Sequence, residues 1–326
     1  MSASPDVKYP GVLLFGHGYW GKNIARNLDA LGALAGVCEP DPVQRAVVAE
    51  RYPAVPCFDN PDEALARCDA PAVAISTPAA THAPLGLRCL DAGRDVFVEK
   101  PLALTVADGE RLVAAAEARS RILMVGHLLE YHPAVLALEG LVREGTLGAL
   151  QYLYSNRLNL GRFRREENIL WSFAPHDIAV LLRLVGAEPM DVTAHGGAYL
   201  RPGIVDTTVT HLAFPDGVQA HIFVSWLHPY KEQRLVVVGS KAMAVFDDRQ
   251  PWADKLVLHD KGADWDAEGP VPRTGAGASV PLTESEPLRL ELEHFLTCVQ
   301  TRTTPRTDGP SGVRVLRVLE AAQQTL

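Results

Sequence analysis

The sequence predicts a two-domain α/β protein, a parallel sheet clothed by helices followed by a domain in which strands dominate. Three observations carry this expectation. The chain has 326 residues, too long for one small module and long enough for two domains. Up to Val125 short apolar runs alternate with helical patterns, whereas beyond it strands joined by turns take over.

The first domain's strands are expected at Val12–Phe15, Leu34–Cys38, Ala72–Ser76, Val96–Val98 and Ile122–Val125. Each run is short, continuous and rich in Val, Ile and Leu, the pattern of strands covered on both faces. Between them Ile24, Leu28 and Leu31 recur at helical spacing, with Gly32 placed as a C-cap. Thr105 and Asp108 have the spacing of a capping box ahead of Leu112, Ala115 and Ala116. Strands and helices alternating over short connections imply right-handed βαβ units and a parallel sheet. After Val125 a helix is expected over Pro133 to Glu144, ended by Gly145. Strands follow at Leu150–Leu158, Val192–Tyr199, Thr207–Phe214, Val218–Leu227, Leu235–Gly239, Met243–Asp247 and Leu256–His259. Pro215-Asp216-Gly217 and Gly239-Ser240-Lys241 read as hairpin turns. One helix, Pro175 to Val185, interrupts the strands, and 263–281, rich in Gly, Pro and Asp, reads as a surface loop. Helical patterns over Leu288–Thr301 and Ser311–Gln324 close the chain. The expected domains are residues 1–126 and 127–326.

Composition excludes several classes. Hydrophobic residues make up 47% and charged residues 21%, so the chain can bury a core. A formal net charge of −8 argues against a general nucleic-acid binder, which needs a cationic surface. No apolar run is long enough to span a membrane, and Met1 to Pro10 shows no secretory signal. The five cysteines form no C-x-x-C, and the histidines show no metal-binding spacing, so neither disulfides nor a metal is expected. A reduced, cytoplasmic protein is the simplest expectation.

Gly16-His17-Gly18-Tyr19-Trp20-Gly21 is a G-x-G-x-x-G that follows the first strand and opens the first helix. In that setting Gly16 permits the tight turn, Gly18 lets a diphosphate approach the backbone, and Gly21 lets helix and strand pack closely. The helix N-terminus, with Tyr19 and Trp20 beside it, is then aimed at the anion. The plainer alternative is an ordinary βα turn. Glu39 ends the second strand, where a carboxylate accepts hydrogen bonds from both ribose hydroxyls of an adenosine and repels a 2′-phosphate. NAD is therefore favoured, and Arg45, if folded back, keeps NADP open.

Thr77-Pro78, Thr81-His82-Ala83-Pro84 and the stretch Ala92 to Leu102, ending in Glu99-Lys100-Pro101-Leu102, resemble the Gfo/Idh/MocA family (glucose–fructose oxidoreductase, inositol dehydrogenase and rhizopine catabolism proteins). Thr304-Pro305-Arg306-Thr307-Asp308-Gly309 is similar to that family's ending, so the resemblance spans essentially the whole chain. It implies an N-terminal Rossmann domain and a C-terminal α/β domain with an open, mostly antiparallel sheet. It further implies NAD(P)-dependent hydride transfer at a sugar or polyol carbinol, and pairing into homodimers or homotetramers. Ser76, Thr77, His82, Glu99 and Lys100 are thereby added to the cofactor-binding candidates. Gly126 to Pro133, Ser155 to Gly161 and Trp171 to Asp177 resemble a narrower branch that oxidises nucleotide sugars such as UDP-N-acetylglucosamine or its uronic acid at C3.

Lys100 is the first catalytic candidate. A strand's carboxyl end in an open parallel sheet faces the cofactor crevice, and burial beside a nicotinamide cation disfavours the ammonium form. The plainer alternative is a surface lysine paired with Glu99. His176 sits where the resemblance places a catalytic histidine, at the start of the helix expected from Pro175. The accompanying family aspartates are Ser172 and Ala179 here, which puts the usual arrangement in doubt, and Asp177 reads as a helix-start carboxylate. A structural histidine is the competing reading. Arg157, Arg162, Arg164 and Arg165 suit diphosphate or carboxylate oxygens, with a solvated loop balanced by Glu166 and Glu167 as the bland alternative. Trp171 and Trp226 read as core before ligand platform. The favoured activity is oxidation of a nucleotide sugar, with Lys100, Arg157, Arg162, Arg164, Arg165 and His176 holding it. An inositol or free-sugar dehydrogenase, a nucleotide-deoxysugar ketoreductase and a non-catalytic NAD-binding sensor remain as alternatives.

Overall fold

The computed structural model describes residues 8–161, 163–164 and 167–326, with the side chains of 261, 264, 265 and 274 left aside. Packing divides the chain into two units. One comprises Met1–Leu128 with Glu286–Leu316, the other Leu129–Ser285 with Arg317–Leu326.

The first unit follows from its apolar runs. β1 (Val12–Phe15), β2 (Leu34–Cys38), β3 (Cys57–Phe58), β4 (Ala72–Ile75), β5 (Asp95–Glu99) and β6 (Leu123–Gly126) form one sheet in the order β3-β2-β1-β4-β5-β6. Every ladder is parallel. β1, β4, β5 and β6 are buried throughout, as helices on both faces require. The connecting helices are α1 (Gly21–Ala30), α2 (Pro42–Arg51), α3 (Pro61–Arg67), α4 (His82–Asp91) and α5 (Val106–Ala118). Their starts are chemically specified: Asp41, Asn60 and Thr105 each accept a backbone N–H from the first turn, the first two with proline at the next position. Strand order reverses between β1 and β4, and the carboxyl ends of those strands are where such a sheet binds its ligand. β3 has no counterpart among the sequence expectations, since two residues show no periodicity.

The second unit starts with α6 (Pro133–Arg143) and continues through β7 (Leu150–Leu160), α7 (Ile169–Val185), β8 (Asp191–Gly197), β9 (Thr207–Ala213), β10 (Gln219–Ser225), β11 (Leu227–Gly239), β12 (Ala242–Asp247), β13 (Leu256–Asp266) and β14 (Gly269–Ser279). Its sheet runs β14-β13-β12-β11-β7-β10-β9-β8, antiparallel except for β7 beside β10. α7 packs on β7, β9 and β10. Thr208, Thr210 and Leu212 of β9 and Ala220, Ile222 and Val224 of β10 are buried on one face, while His211 and His221 alternate onto the other.

Three expectations are corrected. The segment read as a loop over 263–281 is mostly a hairpin, completing β13 and forming β14. Asp266 Oδ1 accepts the Glu268 and Gly269 N–H groups to close its turn, and Pro270 and Pro272 are tolerated because β14 is an edge strand. α7 begins at Ile169 rather than Pro175, because Asn168 caps it by accepting the Trp171 N–H. Pro175 then lies inside the helix, and so does His176. The division of the chain also differs from a single boundary near residue 126. α8 (Pro287–Thr301) and the first half of α9 (Gly309–Gln324) belong to the first unit. Among the described residues no helix is long and apolar enough to cross a membrane.

Candidate active site

In the first unit the turn from β1 into α1 is built from its glycines. Gly16 has φ +88°, and a Cβ there would stand 2.7 Å from the Ser76 carbonyl oxygen. A Cβ on Gly21 would stand 2.1 Å from the Gly16 carbonyl oxygen, so α1 can approach β1 only with glycine at that position. Gly18, by contrast, is exposed and faces open space. A tight turn, a packed helix and an open backbone between them form a cradle suited to a diphosphate. Tyr19 is exposed beside it and Trp20 is half-buried.

Glu39 is buried at the end of β2, where its Oε2 accepts the His17 N–H at 2.7 Å and its Oε1 the Asp41 N–H at 2.9 Å. One bond to each oxygen leaves acceptor capacity for a ribose diol. Arg45 folds back onto the strand end, donating to the carbonyls of Glu39 and Pro40. The His17 ring is buried edge-on to Tyr52, and burial lowers its pKa, with Lys22 adding to the effect.

Across the switch point, Ser76 donates its N–H to the Phe15 carbonyl and Thr77 Oγ1 lies 2.6 Å from Thr81 Oγ1. The His82 ring is buried, with Nδ1 2.7 Å from the Pro101 carbonyl and Nε2 2.9 Å from that of Thr77. It therefore lies between two crevice segments, donating to one carbonyl or the other according to its tautomer. The Lys100–Pro101 peptide is cis, and Lys100 is half-buried at the carboxyl end of β5. Glu99, buried, accepts the Trp20 indole N–H at 2.5 Å and the Lys100 N–H at 3.3 Å. Burial raises its pKa to about 7, against the opposing pull of the Lys100 charge and these two donors. The Trp20–Glu99 bond joins the glycine turn to the strand end carrying Lys100.

In the second unit His176 is half-buried in the second turn of α7, one helical turn after the buried Ser172. Asp177 is a deeply buried carboxylate and not a helix-start residue. Its Oδ2 accepts Arg157 Nε at 2.7 Å, and its Oδ1 accepts Arg157 Nη2 at 3.1 Å and the Ser155 hydroxyl at 2.6 Å. Burial disfavours the guanidinium charge, but the Asp177 carboxylate outweighs it and raises the Arg157 pKa. Arg157 thus spends its fork on Asp177, fixing β7 to α7 next to His176. A lone aspartate in the apolar run Ala174 to Leu182 signals such a buried pair, though not its partner. Glu130 is paired in the same way, accepting Arg183 Nε at 2.8 Å. Arg164 is exposed and lies 3.5 Å from Glu167; Arg162 and Arg165 lie outside the described residues. Trp171 donates to Gln323 and Trp226 is buried, donating to Asp206 at 2.5 Å. No group of three His, Cys, Asp or Glu side chains among the described residues could hold a metal ion.

Two family descriptions match the chain. "Oxidoreductase family, NAD-binding Rossmann fold" covers residues 11–127 and "GFO/IDH/MocA C-terminal domain" covers 135–245. The chain is 29% identical to the UDP-N-acetylglucosamine 3-dehydrogenase of Acidithiobacillus ferrooxidans over 93% of both chains. A solved structure of that enzyme superimposes with a TM-score of 0.85 over 98% of each chain, at 26% identity. The chain is also 26% identical to scyllo-inositol 2-dehydrogenase (NAD(+)) of Bacillus subtilis, over 82% of this chain and 80% of that one. Inositol 2-dehydrogenase of Rhizobium meliloti is likewise 26% identical, over 94% of this chain and 92% of its own.

Proposed function

Since the chain belongs to the Gfo/Idh/MocA family of oxidoreductases, we propose that it oxidises a ring carbinol of a nucleotide-linked sugar, C3 of a UDP-N-acetylhexosamine. The observation that carries the substrate is the likeness to a UDP-N-acetylglucosamine 3-dehydrogenase along nearly the full length of both chains. The glycine cradle, the open space at Gly18 and the free acceptor capacity of Glu39 fit NAD, which supplies the hydride acceptor when bound. Gly16, Gly18 and Gly21 would hold its diphosphate, Glu39 its adenosine ribose, and Ser76 and Thr77 the far side of the crevice.

The carbinol loses a hydride from carbon and a proton from oxygen to become a carbonyl. In this reading the Lys100 amine takes the proton, Glu99 and Trp20 orient the strand end that carries it, and His176 assists at the sugar. Arg157 acts as a positioning residue through Asp177, because its guanidinium is already committed. In this reading copies of the chain pair into dimers or tetramers through the open face of the second sheet, on which the Tyr154 and His221 rings of one chain stack at 5.2 Å. An inositol dehydrogenase is the competing reading, favoured by the likeness to inositol dehydrogenases.

The experiment follows reduced nicotinamide absorbance with UDP-N-acetylglucosamine, its uronic acid, inositols and free sugars. A higher kcat/KM for an inositol overturns the proposed substrate. Lys100→Met is expected to keep NAD affinity within about twofold and to lose about 10²- to 10⁴-fold in kcat, the usual worth of a positioned proton acceptor. Near-parental turnover removes Lys100 from the reaction.

A further inference from the structure

The second unit holds a cavity of about 500 Å³ that no residue of the proposed chemistry occupies. Its walls are Phe163, Arg164, Leu200, Arg201, Asp206 and Trp226. The strand register locates it. Arg157 of β7 lies opposite Val224 of β10, so Gly161, Phe163, Arg164 and Trp226 come just beyond the carboxyl ends of that parallel pair.

The cavity is a built feature. Asp206, 1% exposed, accepts the Tyr199 and Leu200 N–H groups on Oδ2 at 2.6 and 2.8 Å and the Trp226 indole N–H on Oδ1 at 2.5 Å. Its backbone continues the anchorage, the N–H donating to the Gly197 carbonyl and the carbonyl accepting the Trp226 N–H. The segment between β8 and β9 is therefore held from its base, and Arg201 is presented from a fixed position, bridged to Ile204. The Asp206 carboxylate is consumed by three donors, which blunts its repulsion of an anion. Among the described residues no carboxylate pairs with Arg201, and Glu167 stands 3.5 Å from Arg164 Nε. Two guanidinium groups thus border the cavity with donors to spare. Phe163 stands edge-on to Trp226, with centroids 6.3 Å apart and planes at 73°, and is 45% exposed. Its face is available for a planar ring.

A diphosphate needs paired cationic forks and a heterocyclic base needs an aromatic face. Cavities of this size take a ligand of nucleotide dimensions. We infer that this cavity is the nucleoside-diphosphate subsite, with Arg201 and Arg164 binding the diphosphate and Phe163 stacking on the base. The inference deepens the nucleotide-sugar reading and rests on it, and it adds Arg201 and Phe163 to the specificity-determining residues.

The test titrates UDP, uridine and inorganic pyrophosphate calorimetrically into the full chain, Arg201→Ala and Phe163→Ala. Thermal transition, oligomeric state and NAD affinity serve as integrity controls. UDP binding by the parent is expected. Arg201→Ala should weaken UDP and pyrophosphate by about tenfold or more while sparing uridine, the loss expected for one charged hydrogen-bonding fork. Phe163→Ala should weaken UDP and uridine while sparing pyrophosphate. Absent UDP binding by the parent, equal UDP affinity in all three proteins, or a loss that tracks a changed oligomeric state overturns the inference. If a UDP-sugar is oxidised with parental KM by both variants, the subsite is wrong and the substrate reading stands. If UDP binds with the expected dependence and no UDP-sugar is oxidised, the subsite stands and the substrate reading fails.

Discussion

At the scale of single residues, Glu99 shows most directly how burial resets chemistry. Its carboxyl is buried, and its pKa rises from 4.5 to about 7. The folded chain then binds more protons at this group than the unfolded chain does between those values. Stability contributed through Glu99 therefore falls as pH rises through that window and stays lost above it. Glu99→Gln removes the titration. The Tm difference between variant and parent is expected to move in the variant's favour from about pH 5 to about pH 8, read by calorimetry at both. A pH-independent difference would show that the carboxyl does not titrate in that range. Gly16, Gly18 and Gly21 are visible in the sequence as a spaced motif between a strand and a helix, Glu39 as the carboxylate closing the next strand, and Glu99-Lys100-Pro101 through the family resemblance. The Trp20–Glu99 bond and the Ser155–Asp177–Arg157 cluster are not visible. They depend on which strand and helix meet, information that spacing along one chain does not hold. Arg201 was hidden for the same reason, since only the Asp206 anchorage turns an exposed loop arginine into part of a cavity wall.

At the scale of elements, the β1–α1 turn separates two roles that the glycine motif merges. Adding a methyl to Gly21 forces it against the Gly16 backbone and drives α1 from β1, whereas a methyl on Gly18 meets nothing within 4 Å. Gly21→Ala is expected to lose about 1–3 kcal/mol of stability, as overpacking does, together with NAD affinity. Gly18→Ala should keep its Tm and lose NAD affinity alone, because the added group enters the diphosphate's space. Denaturant unfolding and a fluorescence titration of NAD distinguish the two. Unchanged NAD affinity in Gly18→Ala would place the diphosphate elsewhere. Elements with strong periodicity were legible to within a residue or two, β1, β2 and α8 among them. The start of α7 was masked by Pro175, which reads as a helix opening when the Asn168 cap is overlooked. β14 was masked by composition, since Gly and Pro mark loops in general but are admissible on an edge strand.

At the scale of the whole molecule, the returning C-terminal segment completes the first unit. Asp95, 2% exposed at the start of β5, accepts Arg302 Nη1 at 2.5 Å and Nη2 at 3.1 Å. Phe295 packs on Phe97 with centroids 5.7 Å apart, both fully buried. Thr307 extends the pairing along β6, its hydroxyl and its carbonyl each bonding the backbone of Val125 at 2.7 Å. Removing the segment takes the cation from Asp95 and strips a large aromatic from the core, the aromatic alone worth about 3–5 kcal/mol. Domains have only about 5–15 kcal/mol in total, so the first six strands are not expected to stand alone. A polypeptide of residues 1–128 should show no cooperative thermal transition and should bind a hydrophobic dye. The same polypeptide joined by a flexible linker to residues 286–316 should melt cooperatively, at a temperature that rises with added NAD. A cooperative, NAD-sensitive transition in the 1–128 polypeptide alone would show the parallel sheet to be self-sufficient, and would reduce the Arg302–Asp95 pair and the Phe295–Phe97 contact to surface decoration of an already stable fold.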